Sequence, residues 1–153
     1  MRSNQVANAL VLLGSSALLG GALLFQHVGG LAPCEMCLWQ RWPHLAAIVL
    51  GLLAWALRSN RVVVTLAALA TLTSGAIGFF HMGVELHWWT GPTACSAAFN
   101  GGSSADIMAQ VMATALVRCD TAAWSLFGLS MAGWNGVLSF GIAGGALWLL
   151  RKR

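Results

Sequence analysis

Charge is the scarcest property of this sequence. Only 8% of its 153 residues are charged, against about 25% in an average soluble domain, and a water-facing surface cannot be built from so few. Acids are scarcer than bases, four Asp and Glu against eight Lys and Arg. The net charge of +4 forms no basic stripe, because the cations flank apolar runs; this argues against a nucleic-acid partner. Apart from Arg41 no charge interrupts those runs, which argues against an ion path. Cysteine is missing from the cores of the runs and from the connector between the second and third. There is no internal repeat, linker or low-complexity tract, so the chain reads as one domain over residues 1–153.

What the sequence has instead is apolar length. Hydrophobic residues make up 58% of it, and apolar runs of roughly 18 or more residues mark membrane spans. Four spans are expected, at about residues 6–28, 38–57, 62–80 and 126–150. The predicted fold is therefore an all-α membrane protein, an antiparallel four-helix transmembrane bundle. The second run, from Pro43 to Leu57, gives only about 22 Å of helix, short of a hydrocarbon core about 30 Å thick. Its helix must begin near Cys37 or Leu38, which puts Arg41 at or just below the membrane surface. Pro43 then falls past the first helical turn, where it predicts a kink or a separate lead-in turn. The short connector Arg58-Ser59-Asn60-Arg61 makes the second and third helices a hairpin. The fourth run is rich in small residues, among them Gly128, Gly133, Gly136, Gly141 and Gly145, that let membrane helices approach closely. Gly141 and Gly145 form a small-xxx-small pair.

Orientation follows from the cations. Arg2, Arg58, Arg61, Arg151, Lys152 and Arg153 fall on one side of a four-span layout; Arg41, Arg118 and all four acids fall on the other. Both termini are therefore expected in the cytoplasm. Tryptophans near the span ends, such as Trp39, Trp88 and Trp124, suit interfacial anchoring. The first run is longer than the apolar core of a signal peptide, and Pro33 fits poorly in a lipoprotein-type cleavage site at Leu31-Ala32-Pro33-Cys34, so it is read as a retained span.

Two segments face outward, about residues 29–37 and 81–125. Within the second, Ser103 to Val117 reads as a short helix: Ser103 and Asp106 make a capping-box pattern, and Ile107, Met108, Val111 and Met112 share a face. Two placements suit it, on the membrane surface or packed on the bundle.

All four cysteines lie in these outward segments. Cys34 and Cys37 form C-x-x-C ahead of the second span; Cys95 and Cys119 lie in the long segment. Disulfides persist outside the cytosol, and four cysteines allow three pairings. Three readings stand at this point: structural disulfides, a thiolate metal site, and a redox relay. A metal site lacks the second tight pair it usually needs. A redox relay gains from the helix start, which lowers a thiol pKa, and from Arg41, on the same helix face as Cys37. An ionisable residue at membrane depth is a functional candidate, although a snorkelling interfacial arginine has the same pattern. A membrane redox site also needs an electron acceptor, and a lipid-soluble quinone reaches the head-group region laterally.

The stretch Cys34-Glu35-Met36-Cys37-Leu38-Trp39-Gln40-Arg41-Trp42-Pro43-His44 resembles the disulfide bond formation protein B (DsbB) family, with its C-x-x-C followed by Gln-Arg and Pro. His81-Met82-Gly83-Val84-Glu85, with Trp88-Trp89, Gly91-Pro92 and Cys95-Ser96 after it, resembles the start of that family's long periplasmic loop. Cys119-Asp120, Trp124 and Leu129 to Asn135 resemble its end and the fourth helix. The resemblance implies an enzyme of the bacterial inner membrane. A reduced periplasmic thioredoxin-fold oxidase of the DsbA type would form a mixed disulfide with Cys95 and release Cys119. Electrons would pass to the Cys34–Cys37 pair, and Cys37, next to Arg41, would hand them to ubiquinone or menaquinone. DsbA-type oxidases have potentials near about −120 mV, so their re-oxidation needs a stronger oxidant, which the quinone supplies. His81 and Glu85, four apart on the third helix, either contact that quinone or cap the helix and pair with each other. His27 and His44 are read as making ordinary interfacial hydrogen bonds. No metal is expected. The alternative is a non-catalytic membrane protein whose periplasmic disulfides only brace its loops.

Overall fold

A computed structural model describes residues 2–91, 103–106, 108 and 117–152 of the chain. They form four long helices, α1 (Arg2–His27), α2 (Glu35–Ala56), α3 (Arg61–Glu85) and α4 (Met131–Arg151), with a small antiparallel pair, β1 (Ser125–Leu126) and β2 (Leu129–Ser130), ahead of α4. Helices α1 and α3 each pack mainly against α2 and α4, so the four close into a ring.

The ring is packed with small residues inside and large ones outside. Ala7, Ala47, Ala67, Ala68 and Ala146 are fully buried, whereas Leu13, Val49, Trp55 and Val62 are more than half exposed. Lipid chains are as apolar as leucine, so nothing drives large side chains inward; close backbone approach and interhelical hydrogen bonds hold such helices together. Asn8 on α1 donates to the Gly51 carbonyl of α2 at 3.1 Å, and Ser15 on α1 bonds Thr71 on α3 at 2.9 Å. α1, α3 and α4 are each long and apolar enough to cross a membrane. α2 is not among them, because Gln40, Arg41, Pro43 and His44 occupy its N-terminal half.

Of the pair the sequence suggested, Gly145 meets Leu10 of α1, but Gly141 marks no close approach. A Cβ on Gly141 would meet nothing within 4 Å. A Cβ on Gly78 of α3 would lie 2.8 Å from the Ala132 carbonyl oxygen of α4, a backbone atom that cannot swing aside. Gly78→Ala is therefore expected to lower the melting temperature in detergent by several degrees, at about 1–3 kcal/mol, and Gly141→Ala to leave it within a degree or so. Equal melting temperatures for the two variants would contradict this packing.

Three boundaries differ from the sequence reading. α2 begins at Glu35, ahead of the expected start near Cys37 or Leu38, and Pro43 lies inside it. α3 continues past Phe80 to Glu85, carrying His81 and Glu85 into its last turn. α4 begins at Met131, not near Leu126, because Phe127 (φ 52°) and Gly128 (φ 78°) make a left-handed hairpin turn that pairs Ser125 with Ser130. Ser130 then caps α4, its hydroxyl accepting from the Gly133 amide at 3.1 Å. In the long segment, residues 104–106 and 108 are helical. Ser103 and Asp106 make the reciprocal capping contacts, Ser103 N–H to the Asp106 carboxylate and Asp106 N–H to the Ser103 hydroxyl. Cys95 and most of the expected 103–117 helix, including Ile107, Val111 and Met112, lie outside the described residues.

Candidate functional site

Cys34 is the N-cap of α2, with extended backbone (φ −74°, ψ 171°) and its sulfur accepting from the Cys37 amide at 3.2 Å. The two sulfurs are 2.7 Å apart, the Cys34 thiol donating to Cys37. This contact pushes the Cys34 thiol far above the usual thiol range, and burial adds to the shift. Cys37 is held below that range, chiefly by accepting the same bond. In the reduced protein Cys37 is thus the more readily ionised of the two, while Cys34 stays protonated. Brief iodoacetamide treatment at about pH 7, read by peptide mass spectrometry, is expected to label Cys37 well ahead of Cys34. Equal labelling would contradict this assignment.

Behind the pair lies a buried polar network joining α2, α3 and α4. Gln40 donates its amide to the Met36 carbonyl at 3.2 Å and to His81 Nδ1 at 2.9 Å. Its oxygen accepts from Asn135 Nδ2 at 2.8 Å. Asn135 Nδ2 also reaches the Ser74 carbonyl and hydroxyl, and Asn135 Oδ1 accepts from Ser139 and faces His44 Nε2 at 2.9 Å. Backbone carbonyls only accept, so Met36 fixes the orientation of the Gln40 amide and Ser74 that of the Asn135 amide. The network thereby fixes the histidine tautomers. His81 Nδ1 accepts, so its proton sits on Nε2, 3.6 Å from the Cys34 sulfur and 3.8 Å from a Glu85 oxygen.

The second cysteine segment reaches the same place. Cys119 packs against the group formed by Cys34, Met36 and Val84, and the His81 ring hydrogen-bonds the Cys119 backbone. Glu85 bonds the Ser130 hydroxyl, leaving Oε2 without a partner among the described residues. Arg118 pairs with Asp120, and this contact holds the Asp120 carboxyl below its usual range.

In front of the pair is a cavity of about 240 Å³. Its walls are mostly apolar, from Leu18, Ala22, Phe25, Pro33, Trp124 and Leu138, and its polar lining residues include Cys37, Gln40, Arg41, His44, His81, Glu85 and Asn135. Trp124 closes against Phe25 with ring centroids 5.1 Å apart. Arg41 donates from Nη1 to Gln26 of α1. Its Nε is buried with no partner among the described residues, as is His44 Nδ1.

Of the residues singled out in the sequence, Cys34, Cys37, Cys119, Arg41, His81 and Glu85 converge here; Cys95 lies outside the described residues. The sequence reading missed Gln26, Ser74 and Asn135 and left Gln40 without a role. His44, expected at the interface, is only 3% exposed and part of the network. The available signal was polar side chains inside apolar runs, which are costly and need partners.

A family model described as Disulfide bond formation protein DsbB matches residues 4–149. The chain is 33% identical to the Disulfide bond formation protein B of Verminephrobacter eiseniae, an alignment covering 95% of this chain and 84% of that protein. It is 32% identical to the protein of the same name from Polaromonas naphthalenivorans, covering 94% and 89%, and 33% identical to that of Pasteurella multocida, covering 83% and 75%. No solved structure matches.

Proposed function

The chain belongs to the disulfide bond formation protein B family of multi-pass membrane disulfide oxidoreductases, and we propose that it re-oxidises a periplasmic DsbA-type dithiol oxidase and passes the electrons to a membrane quinone. In this reading all four helices cross the bacterial inner membrane with both termini in the cytoplasm, and α2 is a span whose polar half faces the cavity. The single residue 1–153 domain presents about residues 29–37 and 81–125 to the periplasm.

The partner's thiolate attacks Cys95 of a Cys95–Cys119 disulfide, forming a mixed disulfide and releasing Cys119 as thiolate. Cys119 attacks the Cys34–Cys37 disulfide; one sulfur–sulfur bond forms, one breaks, and the electron pair leaves on Cys37. The partner's second thiol then resolves its mixed disulfide, the loop pair re-forms, and Cys34 and Cys37 are left reduced. The observation that carries this reading is the position of the pair, with Cys37 in the wall of the apolar cavity and Cys119 packed against the group that holds Cys34. The role of Cys95 rests on the family alone.

The residues present fit a quinone. The walls suit an apolar ring, and the unpartnered Arg41 Nε–H suits a carbonyl oxygen, an acceptor without a donor. Bound ubiquinone or menaquinone would take up the two electrons of the Cys34–Cys37 dithiol. Arg41 holds the acceptor and favours negative charge near Cys37. His81 uses Nδ1 for Gln40 and has Nε2 beside Cys34, which favours a role next to the cysteines; Glu85, which lines the cavity, retains one oxygen without a partner among the described residues.

The test is loss of quinone absorbance when detergent-purified protein receives reduced DsbA-type partner and a soluble ubiquinone analogue. Turnover is expected; none, with a menaquinone analogue tried as well, would sink this reading for that partner and leave structural disulfides as the better account. One observation favours a metal-binding reading: the ligand atoms of Cys34, Cys37 and His81 lie within 4.8 Å of one another. The proton on His81 Nε2 opposes it, and zinc content of the reduced protein decides, one equivalent per chain favouring metal.

A further inference from the structure

Resting on the proposed quinone reading, one buried atom in the cavity remains unexplained. His44 is 3% exposed and lines the cavity, yet its Nδ1 has no hydrogen-bond partner among the described residues. A buried polar atom without a partner is costly, so one on a residue that lines a cavity points to a ligand group.

The network determines what kind of group. Asn135 Nδ2 lies 3.3 Å from the Ser74 backbone carbonyl, which only accepts, so Asn135 Oδ1 is the acceptor toward His44. The Ser139 hydroxyl donates to the same oxygen at 3.2 Å, in agreement. His44 therefore donates from Nε2, and in the neutral ring Nδ1 carries a lone pair. That nitrogen asks for a donor. A quinone oxygen cannot supply one. Two electrons and two protons turn a quinone into a hydroquinone, whose ring hydroxyls donate. Arg41, another lining residue, has an unpartnered Nε–H, which is the opposite kind of group and suits an acceptor oxygen.

We propose that His44 is a binding residue for the reduced acceptor, its Nδ1 accepting a hydrogen bond from a ring hydroxyl, so that the site recognises the hydroquinone at one position and the quinone at another. Product and substrate then use different protein groups. Product release is then sensitive to His44.

The experiment removes turnover and reads binding alone. The full chain carrying Cys34→Ser and Cys37→Ser is titrated, by quenching of tryptophan fluorescence, with three soluble rings: a quinone, its hydroquinone and the dimethyl ether of that hydroquinone. The hydroquinone is expected to bind about ten-fold more tightly than its ether, one hydrogen bond's worth. His44→Leu is expected to abolish that preference. His44→Gln, whose amide oxygen also accepts, is expected to restore part of it. In ¹⁵N-histidine NMR of the same protein, the His44 Nδ1 resonance is expected in the unprotonated range and to move on hydroquinone binding. A preference that survives in His44→Leu, or a protonated Nδ1, would overturn the assignment. Quinone binding with no preference in the parent would overturn it alone and leave the acceptor reading standing. Failure of all three rings to bind would overturn both.

Discussion

Replacing Cys37 by serine is expected to abolish turnover of the acceptor, lowering kcat by about 10³-fold or more. The hydroxyl retains the size of the thiol but cannot form a disulfide with Cys34, and its proton is far too tightly held for it to act as a nucleophile at neutral pH. The sulfur it replaces is held below the usual thiol range and belongs to a residue that lines the cavity, so on the proposed reading the electron path loses its last sulfur. The melting temperature in detergent is expected to stay close to that of the parent, because no disulfide to Cys37 is needed for α2 to pack. Following quinone absorbance and thermal unfolding on the same preparations separates the two readings of the cysteines. Loss of stability with turnover retained would favour structural bridges.

The second large effect is at Arg41. Its Nη1 is tied to Gln26 on α1, and its Nε is a buried donor without a partner among the described residues. Arg41→Met removes both contacts while keeping an unbranched apolar stem. A hydrogen bond from a charged group contributes about 1.5–3 kcal/mol, so KM for the quinone analogue is expected to rise by roughly ten- to a hundred-fold. KM for the reduced protein partner should change much less, since Arg41 faces the cavity and not the Cys119 segment. Arg41→Lys is expected to recover little of the loss, because an ammonium is a point charge and cannot serve Gln26 and the cavity from two fixed nitrogens. A KM for quinone that matches the parent in Arg41→Met would reduce this residue to an interfacial anchor.

These two predictions draw on different sources. Cys37 and Arg41 were legible in the sequence, because a C-x-x-C at a helix start and a lone cation in an apolar run both stand out against their surroundings. The partners that give them their chemistry were not. Gln26 meets Arg41 from α1, and Asn135 meets Gln40 and His44 from α4. An asparagine or histidine in an apolar run signals a buried hydrogen bond without saying to what. His44 shows the limit: read alone it is an interfacial histidine, and only the Ser74 and Asn135 contacts define which of its nitrogens carries the proton.

The sequence by itself determined that the chain is membrane-embedded and mostly helical, roughly where its four helices run, and which cysteines share a helix start. Each of these follows from local quantities: the length of an apolar run, the distribution of a few charges, the spacing within one turn. Only the tertiary structure decided that α3 continues through Glu85, that α4 waits for the hairpin at Phe127 and Gly128, and that Cys119 and His81 meet Cys34. It also decided the tautomers, because a histidine's proton is set by the donor or acceptor opposite it, and here those groups come from other helices.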